Sequence, residues 1–209
     1  QSMKLTCLVA VLSVTMMVYA GDQIAYLAFR MNDALLLQKV RSFCESANGH
    51  YPVYSQISCS SITSVELLAI TFLYDVERSK EMIPELLKKA ADAMCNHFPR
   101  HLTFDRLETF NSTKHRTLRA TLQRVNITDY YEPLADILDE SGFVLTDNDE
   151  NYGFALLKEY KPYISEYLSA LKVLENTPFR TAGYADEIVF MTGANAEHTE
   201  AKQKLERCA

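Results

Sequence analysis

Apolar residues recur at three- and four-residue intervals over much of this 209-residue chain. Between residues 22 and 47 the spacing includes Ile24, Leu27 and Met31, and it continues to the end of that stretch. Side chains at such intervals share one face of an α-helix. Six glycines and six prolines leave few tight turns, which argues against a β-sandwich. The sequence therefore predicts an all-α fold, either helical-hairpin repeats of an α-solenoid or an irregular helical bundle.

The same periodicity divides the chain into further elements. Helices are predicted at 64–76, 81–97, 103–110, 114–125, 130–138 and 152–174, and residues 185–192 fit a short helix or a strand. Residues 1–3 are typical of a tag remnant. Residues 4–193 are then predicted to form a single all-α domain, followed by a polar helical tail at 194–209.

Two stretches repeat the same order of features. Ala28–Asp33 precedes Leu36–Val40, and Thr71–Asp75 precedes Leu86–Ala90. The offset is close to the length of HEAT and armadillo repeats, about 40–47 residues. A repeat of this length is typical of antiparallel helix pairs that bury their apolar faces against one another.

The block from Val65 to Phe110 resembles the degenerate helical-hairpin repeats of FAST-kinase-like and octotricopeptide-like proteins, and armadillo or HEAT scaffolds are similar. The first two families are associated with organellar RNA, so the resemblance implies a protein or ribonucleoprotein partner. A net charge of −6 departs from an RNA binder and leaves direct RNA contact open. The prediction is a non-catalytic scaffold or interaction domain, not an enzyme, with no DNA partner.

Local catalytic and metal-binding motifs are missing from the sequence. It contains no phosphate-binding glycine loop, no Cys-x-x-Cys and no His-Glu-x-x-His. Cys95, His97 and His101 are close in sequence, but Pro99 interrupts a helical ligand spacing. The acidic stretch that begins at Asp147 lacks the glycine and glutamate of a calcium loop. We therefore predict no catalytic residue, no metal site and no cofactor.

The densest basic stretch and a group of tyrosines form the predicted partner-binding surface. Arginine and lysine can bind phosphate or an acidic partner, and tyrosine offers apolar area with a polar tip. The residues are Lys114, Arg116, Arg119, Arg124, Tyr160, Tyr163 and Tyr167.

The uncharged stretch at 5–20 has two interpretations. As a buried core helix it fits an intracellular protein, cytoplasmic or organellar, and it is shorter than the roughly 20 residues of a membrane span. This is the interpretation that we favour.

In the alternative, residues 3–20 are a secretory signal peptide. The product would be a secreted, glycosylated, disulfide-bonded helical protein that carries a lipid or other apolar ligand. The candidate disulfide cysteines are Cys44, Cys59, Cys95 and Cys208, and the candidate glycosylation sites are Asn111 and Asn126.

Overall fold

The protein is built on an antiparallel sheet of eight strands, and the all-α prediction is therefore wrong. The computed structural model describes residues 22–50, 62–97, 100–111, 115–122, 128–146, 153–160, 174–192 and 198–208. The predictions for residues 1–21, as a tag remnant, a core helix or a signal peptide, lie outside this part of the chain.

Strands and helices are interspersed along the chain. The strands are β1 (Asp22–Met31), β2 (Val65–Asp75), β3 (Arg100–Asn111), β4 (His115–Leu122), β5 (Val144–Leu145), β6 (Gly153–Tyr160), β7 (Thr181–Thr192) and β8 (His198–Lys204). The helices are α1 (Ala34–His50), α2 (Val76–Ser79), α3 (Ile83–Met94) and α4 (Thr128–Glu140), with a 3₁₀ turn (Lys80–Met82) between α2 and α3.

Several predicted helices are strands. The segments predicted as helices at 64–76, 103–110 and 114–125 contain β2, β3 and β4. The described parts of 152–174 and of the tail at 194–209 contain β6 and β8. The segment at 22–47 divides into β1 and α1. For residues 185–192 the strand alternative is confirmed within β7. The helices predicted at 81–97 and 130–138 are confirmed as α3 and α4, and Pro84 falls in the first turn of α3, where proline is tolerated.

The cause of the misassignment is burial on both sides of the central strands. In β1, Leu27 and Phe29 lie in the main core, while Ala28 on the opposite face is also completely buried. A strand buried on both faces loses the alternation of apolar and polar residues, and its apolar run then contains helical intervals by chance.

Asp33 sets the start of α1 after β1. Its carboxylate accepts hydrogen bonds from the backbone N–H groups of Leu35 (2.9 Å) and Leu36 (3.0 Å). Such a side chain satisfies donors that the first helical turn leaves without a partner. The predicted long helix is thus divided into a strand and a capped helix.

The sheet consists of two lobes that share β7. Its order is β5-β2-β1-β7-β3-β4-β6, and β8 also pairs with β7. Lobe A contains β5, β2, β1, β8 and the second half of β7, which pairs with β1 and β8. Lobe B contains β3, β4, β6 and the first half of β7, residues 181–185, which pairs with β3. The pairing register of β1 with β7 shifts at the boundary between the two halves of β7. Arg30 pairs with Glu187 and Met31 pairs with Ala185, and the extra residue between them, Asp186, forms a bulge. A bulge bends a strand and increases its twist.

Helices cover one face of the sheet and enclose the main core. In lobe B, the rings of Phe104 and Phe154 pack edge to face with centroids 4.7 Å apart. In lobe A, Phe29 packs against Tyr130 of α4 at 5.9 Å. Among the described residues, the opposite face of the sheet carries a small apolar cluster around Ala28, and no described helix covers it.

A disulfide joins the C-terminal segment to the end of α3. Cys95 and Cys208 are bonded, with their Cα atoms 4.9 Å apart, and the Cys208 N–H donates to the Cys95 carbonyl at 3.2 Å. Nearby, buried Leu205 donates its N–H to the Asp186 carbonyl at 2.7 Å. Cys44 is also disulfide-bonded. The C-terminal segment is therefore held against both α3 and the bulge of β7.

A substitution at Gly153 tests how closely β6 approaches β4. A Cβ atom at this position would lie 2.5 Å from the Ala120 carbonyl oxygen, which belongs to the backbone. We expect Gly153→Ala to lower the free energy of unfolding by about 1–3 kcal/mol, because relief requires movement of a strand. Chemical denaturation measures this change.

Gly183→Ala is the matched control for that substitution. Its Cβ atom would meet Leu36 Cδ2 at 2.6 Å, but this is the end of a side chain that can rotate. We expect a clearly smaller loss of stability than for Gly153→Ala. Equal losses in the two variants would contradict the tight β4–β6 contact.

Candidate ligand-binding cleft

The two lobes face each other across the side of the sheet that the helices leave open. Arg119 in β4 and Tyr26 in β1 are three strands apart in the sheet order, roughly 14 Å in a flat sheet. Burial raises the pKa of Tyr26, and the charge of Arg119 nevertheless lowers it in part, so that charge acts on the opposite lobe. Strands β2 and β6 also approach each other, although five strand spacings separate them along the sheet. The sheet therefore folds back on itself and forms a cleft.

Arg119 is the basic group that lobe B contributes to this cleft. It pairs with Glu108 in the β3–β4 register, and its neighbours Leu118 and Ala120 point into the core. The guanidinium carbon of Arg119 lies 4.8 Å from the centre of the Phe110 ring. This cation–π contact helps to orient the half-buried guanidinium.

Tyr26 is the facing group in lobe A. It is half-buried and packs on the small apolar cluster of Ala28, Leu68, Val189 and Met191. Burial raises the pKa of Tyr26 above its ordinary value of 10.0, and the positive charge of Arg119 opposes part of that rise. At neutral pH the phenol therefore keeps its proton and can donate a hydrogen bond.

Arg30 links three strands on the same face of lobe A. Its guanidinium lies 2.9 Å from a Glu66 carboxylate oxygen and 3.8 Å from Glu187. Glu66 also accepts a hydrogen bond from Ser64 at 2.7 Å, and Glu187 accepts one from Lys202 at 2.7 Å. The Arg30 side chain is only 16% exposed, so its charge is compensated within the sheet.

The junction of the lobes carries an aromatic pair. His101 in β3 is directly opposite Tyr184 in β7, and their ring centroids are 5.0 Å apart. Both residues are exposed. They lie on the open face of the sheet, because the alternate residues Leu102 and Ala185 belong to the core.

The strands that approach each other across the cleft carry few functional groups at the positions that face it. Glu66 and Leu68 occupy these positions in β2. In β6, exposed Ala155 pairs with Arg119, and Gly153 lies two residues before it. The polar chemistry of the described cleft therefore comes mainly from β1, β3, β4 and β7.

Cys95, His97 and His101, which are close in sequence, lie in different places in the structure. Cys95 is in a disulfide, and His97 packs against Tyr130 at 6.0 Å on the helix side of the sheet, whereas His101 lies on the open face. Within the described segments, no group of three or more His, Cys, Asp or Glu side chains is arranged to hold a metal ion.

The structure places one residue of the predicted partner-binding surface, Arg119, in the cleft. Arg116 and Tyr160 belong to β4 and β6, which pair with each other, but only their backbones are described. Lys114, Arg124, Tyr163 and Tyr167 lie outside the described residues. The surface as a whole stays a prediction.

Sequence reasoning missed Tyr26, Arg30 and Glu66. The signal was present in β1, where Tyr26, Ala28 and Arg30 are alternate residues and share one face of a strand. It was overlooked because β1 was interpreted as a helix.

The remaining site predictions concern modification. Asn111 is the last residue of β3, and Asn126 lies outside the described residues, so glycosylation at both stays a prediction. Cys59 also lies outside the described residues, so its part in a disulfide stays a prediction.

Comparison with known proteins identifies the fold. No family model matches the chain, and no curated protein matches it by sequence. Among solved structures, Usb1 of Kluyveromyces marxianus with uridine monophosphate has a TM-score of 0.52 and 10% identity, covering 88% of this chain and 98% of that one. Escherichia coli LigT with 3′-AMP has a TM-score of 0.52 and 12% identity, at 88% and 98% coverage. LigT with NADP+ has a TM-score of 0.53 and 12% identity, at 89% and 99% coverage.

The chain has the fold of Usb1 and LigT. The resemblance to FAST-kinase-like, octotricopeptide-like and armadillo or HEAT repeats is therefore wrong, since those proteins are helical throughout. The predicted non-catalytic scaffold, the classification as no enzyme and the alternative of a helical apolar-ligand carrier are also wrong. The solved structures that share this fold hold nucleotides: uridine monophosphate in Usb1, and 3′-AMP or NADP+ in LigT. Within the described segments, each helix is too short or too polar to traverse a bilayer.

Arg119→Gln tests whether the lobes face each other as described. Removing the positive charge should raise the pKa of Tyr26 further, because burial then acts without opposition. NMR of tyrosine labelled with ¹³C at Cζ measures this titration.

Lys89→Gln removes a charge on α3, where Lys89 pairs with Glu85 at 3.2 Å, and serves as the control. It should leave the Tyr26 titration unchanged. An unchanged pKa of Tyr26 in Arg119→Gln would show that Arg119 does not reach lobe A.

Proposed function

We propose that the cleft binds a nucleotide, or the terminal nucleotide of an RNA, and that the protein acts on its phosphate ester. The fold supports this proposal, because structures that share it hold uridine monophosphate, 3′-AMP and NADP+. The chain matches nearly the whole length of those proteins. Function within a shared fold depends on the groups in the site, and these are considered next.

Arg119 is the observation on which the proposal rests. A guanidinium offers five N–H donors in one plane and suits the oxygens of a phosphate. The charge of Arg119 also acts on Tyr26 in the opposite lobe, so a phosphate bound to Arg119 would lie on the open face between the two lobes.

Two further groups suit the proposed ligand. The Tyr26 phenol, protonated at neutral pH, can donate to a phosphate oxygen or to the oxygen that leaves. The exposed rings of His101 and Tyr184 offer a surface on which a base can stack. Arg30, paired with Glu66 and Glu187, holds β1, β2 and β7 in place rather than binding the phosphate.

Titration with 3′-AMP by calorimetry tests the binding. We expect Arg119→Ala to weaken binding by about tenfold or more, since hydrogen bonds to charged groups contribute about 1.5–3 kcal/mol. Arg119→Lys should recover part of the loss, because lysine keeps the charge but not the planar fork. The control Lys89→Ala, on α3, should bind as the unsubstituted protein does.

Turnover is measured separately, with an end-labelled short RNA and with Tyr26→Phe as the second variant. We expect loss of product in Arg119→Ala and a lower rate, with little change in affinity, in Tyr26→Phe. Absence of 3′-AMP binding, or equal binding by Arg119→Ala, would contradict the proposed cleft. Binding without any product would restrict the function to nucleotide recognition.

We propose further that the protein matures in an oxidising compartment, the alternative to the intracellular location favoured by the sequence. The Cys95–Cys208 bond and the bonded state of Cys44 support this, because disulfides persist mainly in such compartments. Intact mass of the protein from its native source, alkylated with and without reduction, is the measurement. We expect these three thiols to react only after reduction, and free thiols in the native protein would contradict the proposal.

A further inference from the structure

A second concave site lies on the helix side of lobe A, away from the cleft. It is a pocket of about 400 Å³ between the edge of the sheet and the start of α3, and we call it the lateral pocket. Ligand sites commonly have volumes of about 300–1,000 Å³ and combine apolar walls with a few polar groups.

Aromatic and aliphatic side chains form the inner wall of the lateral pocket. Tyr74 and Phe190 are both nearly completely buried, and their rings pack edge to face with centroids 4.9 Å apart. Ile83 at the start of α3 is buried beside them. This wall offers ring edges and faces to a flat apolar ligand.

The rim of the lateral pocket is polar and basic. Lys80 in the 3₁₀ turn and Gln23 in β1 are exposed and line it. In the part of the chain that the structure describes, neither side chain takes part in a hydrogen bond or an ion pair. None of the described lining residues is acidic. The ammonium group of Lys80 is therefore available to an anion at the mouth of the pocket.

The lateral pocket and the cleft open on opposite faces of the sheet. Gln23 belongs to the alternate set of β1 that includes core residues Ala25 and Leu27, whereas Tyr26 belongs to the other set. Phe190, in the pocket, alternates in the same way with Val189 and Met191 of the open face. A ligand in the pocket would therefore not occupy the nucleotide site.

We propose that the lateral pocket binds a small aromatic carboxylate. Its ring packs against Tyr74 and Phe190, and its carboxylate forms an ion pair with Lys80 at the rim. The apolar wall selects the ring, and the single basic group, with no acidic neighbour in the lining, selects the negative charge. The site is independent of the nucleotide proposal, because no residue is shared between the two.

Calorimetric titration with 2-naphthoate tests the proposal, with neutral 2-naphthamide as the matched probe. We expect the carboxylate to bind about two- to fivefold more tightly than the amide, since an exposed ion pair contributes up to about 1 kcal/mol. Lys80→Gln should remove this preference. Lys88→Gln, on the exposed face of α3, should retain it.

Ala201 in β8 provides a second variant, because it also lines the pocket. Ala201→Leu should fill part of the space and weaken both probes, with circular dichroism as the check on folding. No binding of 2-naphthoate at millimolar concentration would overturn the proposal. An undiminished preference in Lys80→Gln would overturn it as well, as would loss of binding in Arg119→Ala alone, which would place the probe in the cleft.

Discussion

The bend of β7 at Asp186 is the constraint on which the architecture depends. One continuous strand serves lobe B with its first half and lobe A with its second, and the bulge separates the two. The bulge also takes part in long-range contacts, because its carbonyl accepts the Leu205 N–H at 2.7 Å. Without the bend, the open faces of the lobes would form one continuous surface and would enclose no cleft.

The two arginines of the cleft have different roles: Arg30 stabilises the sheet, and Arg119 interacts with the opposite lobe. Arg30 is held between two carboxylates in a cross-strand line, which strengthens the pairing of β2, β1 and β7. Arg119 instead acts on a phenol of the opposite lobe. Strand pairing and the proposed ligand recognition thus depend on different residues.

Local features of the sequence predict the amphipathic helices but not the sheet. In α3, the buried residues follow one helical stripe, and Pro84 marks the first turn, so the sequence alone suffices. In β2, buried and partly buried positions alternate, but a bulge at Ala69 shifts the phase of the alternation, so its sequence pattern could not be distinguished from a helix. The supposed helical repeat had a real basis, since Ala28–Asp33 and Thr71–Asp75 end strands that precede α1 and α3. The cleft required the pairing of distant strands, which no local pattern of residues contains.

The disulfide between Cys95 and Cys208 has a mechanical consequence. The two cysteines are 113 positions apart, so the bond closes a covalent loop that contains β3 to β8 and therefore lobe B. A pulling force between residue 22 and the C-terminus is transmitted from Cys95 directly to Cys208 and does not load this loop. Only the segment before Cys95 can then extend, by up to about 3.3–3.6 Å for each residue released. Under tension β1, α1, β2 and α3 would unravel first, while the strands from β3 to β8 would remain a shielded unit until the bond is reduced.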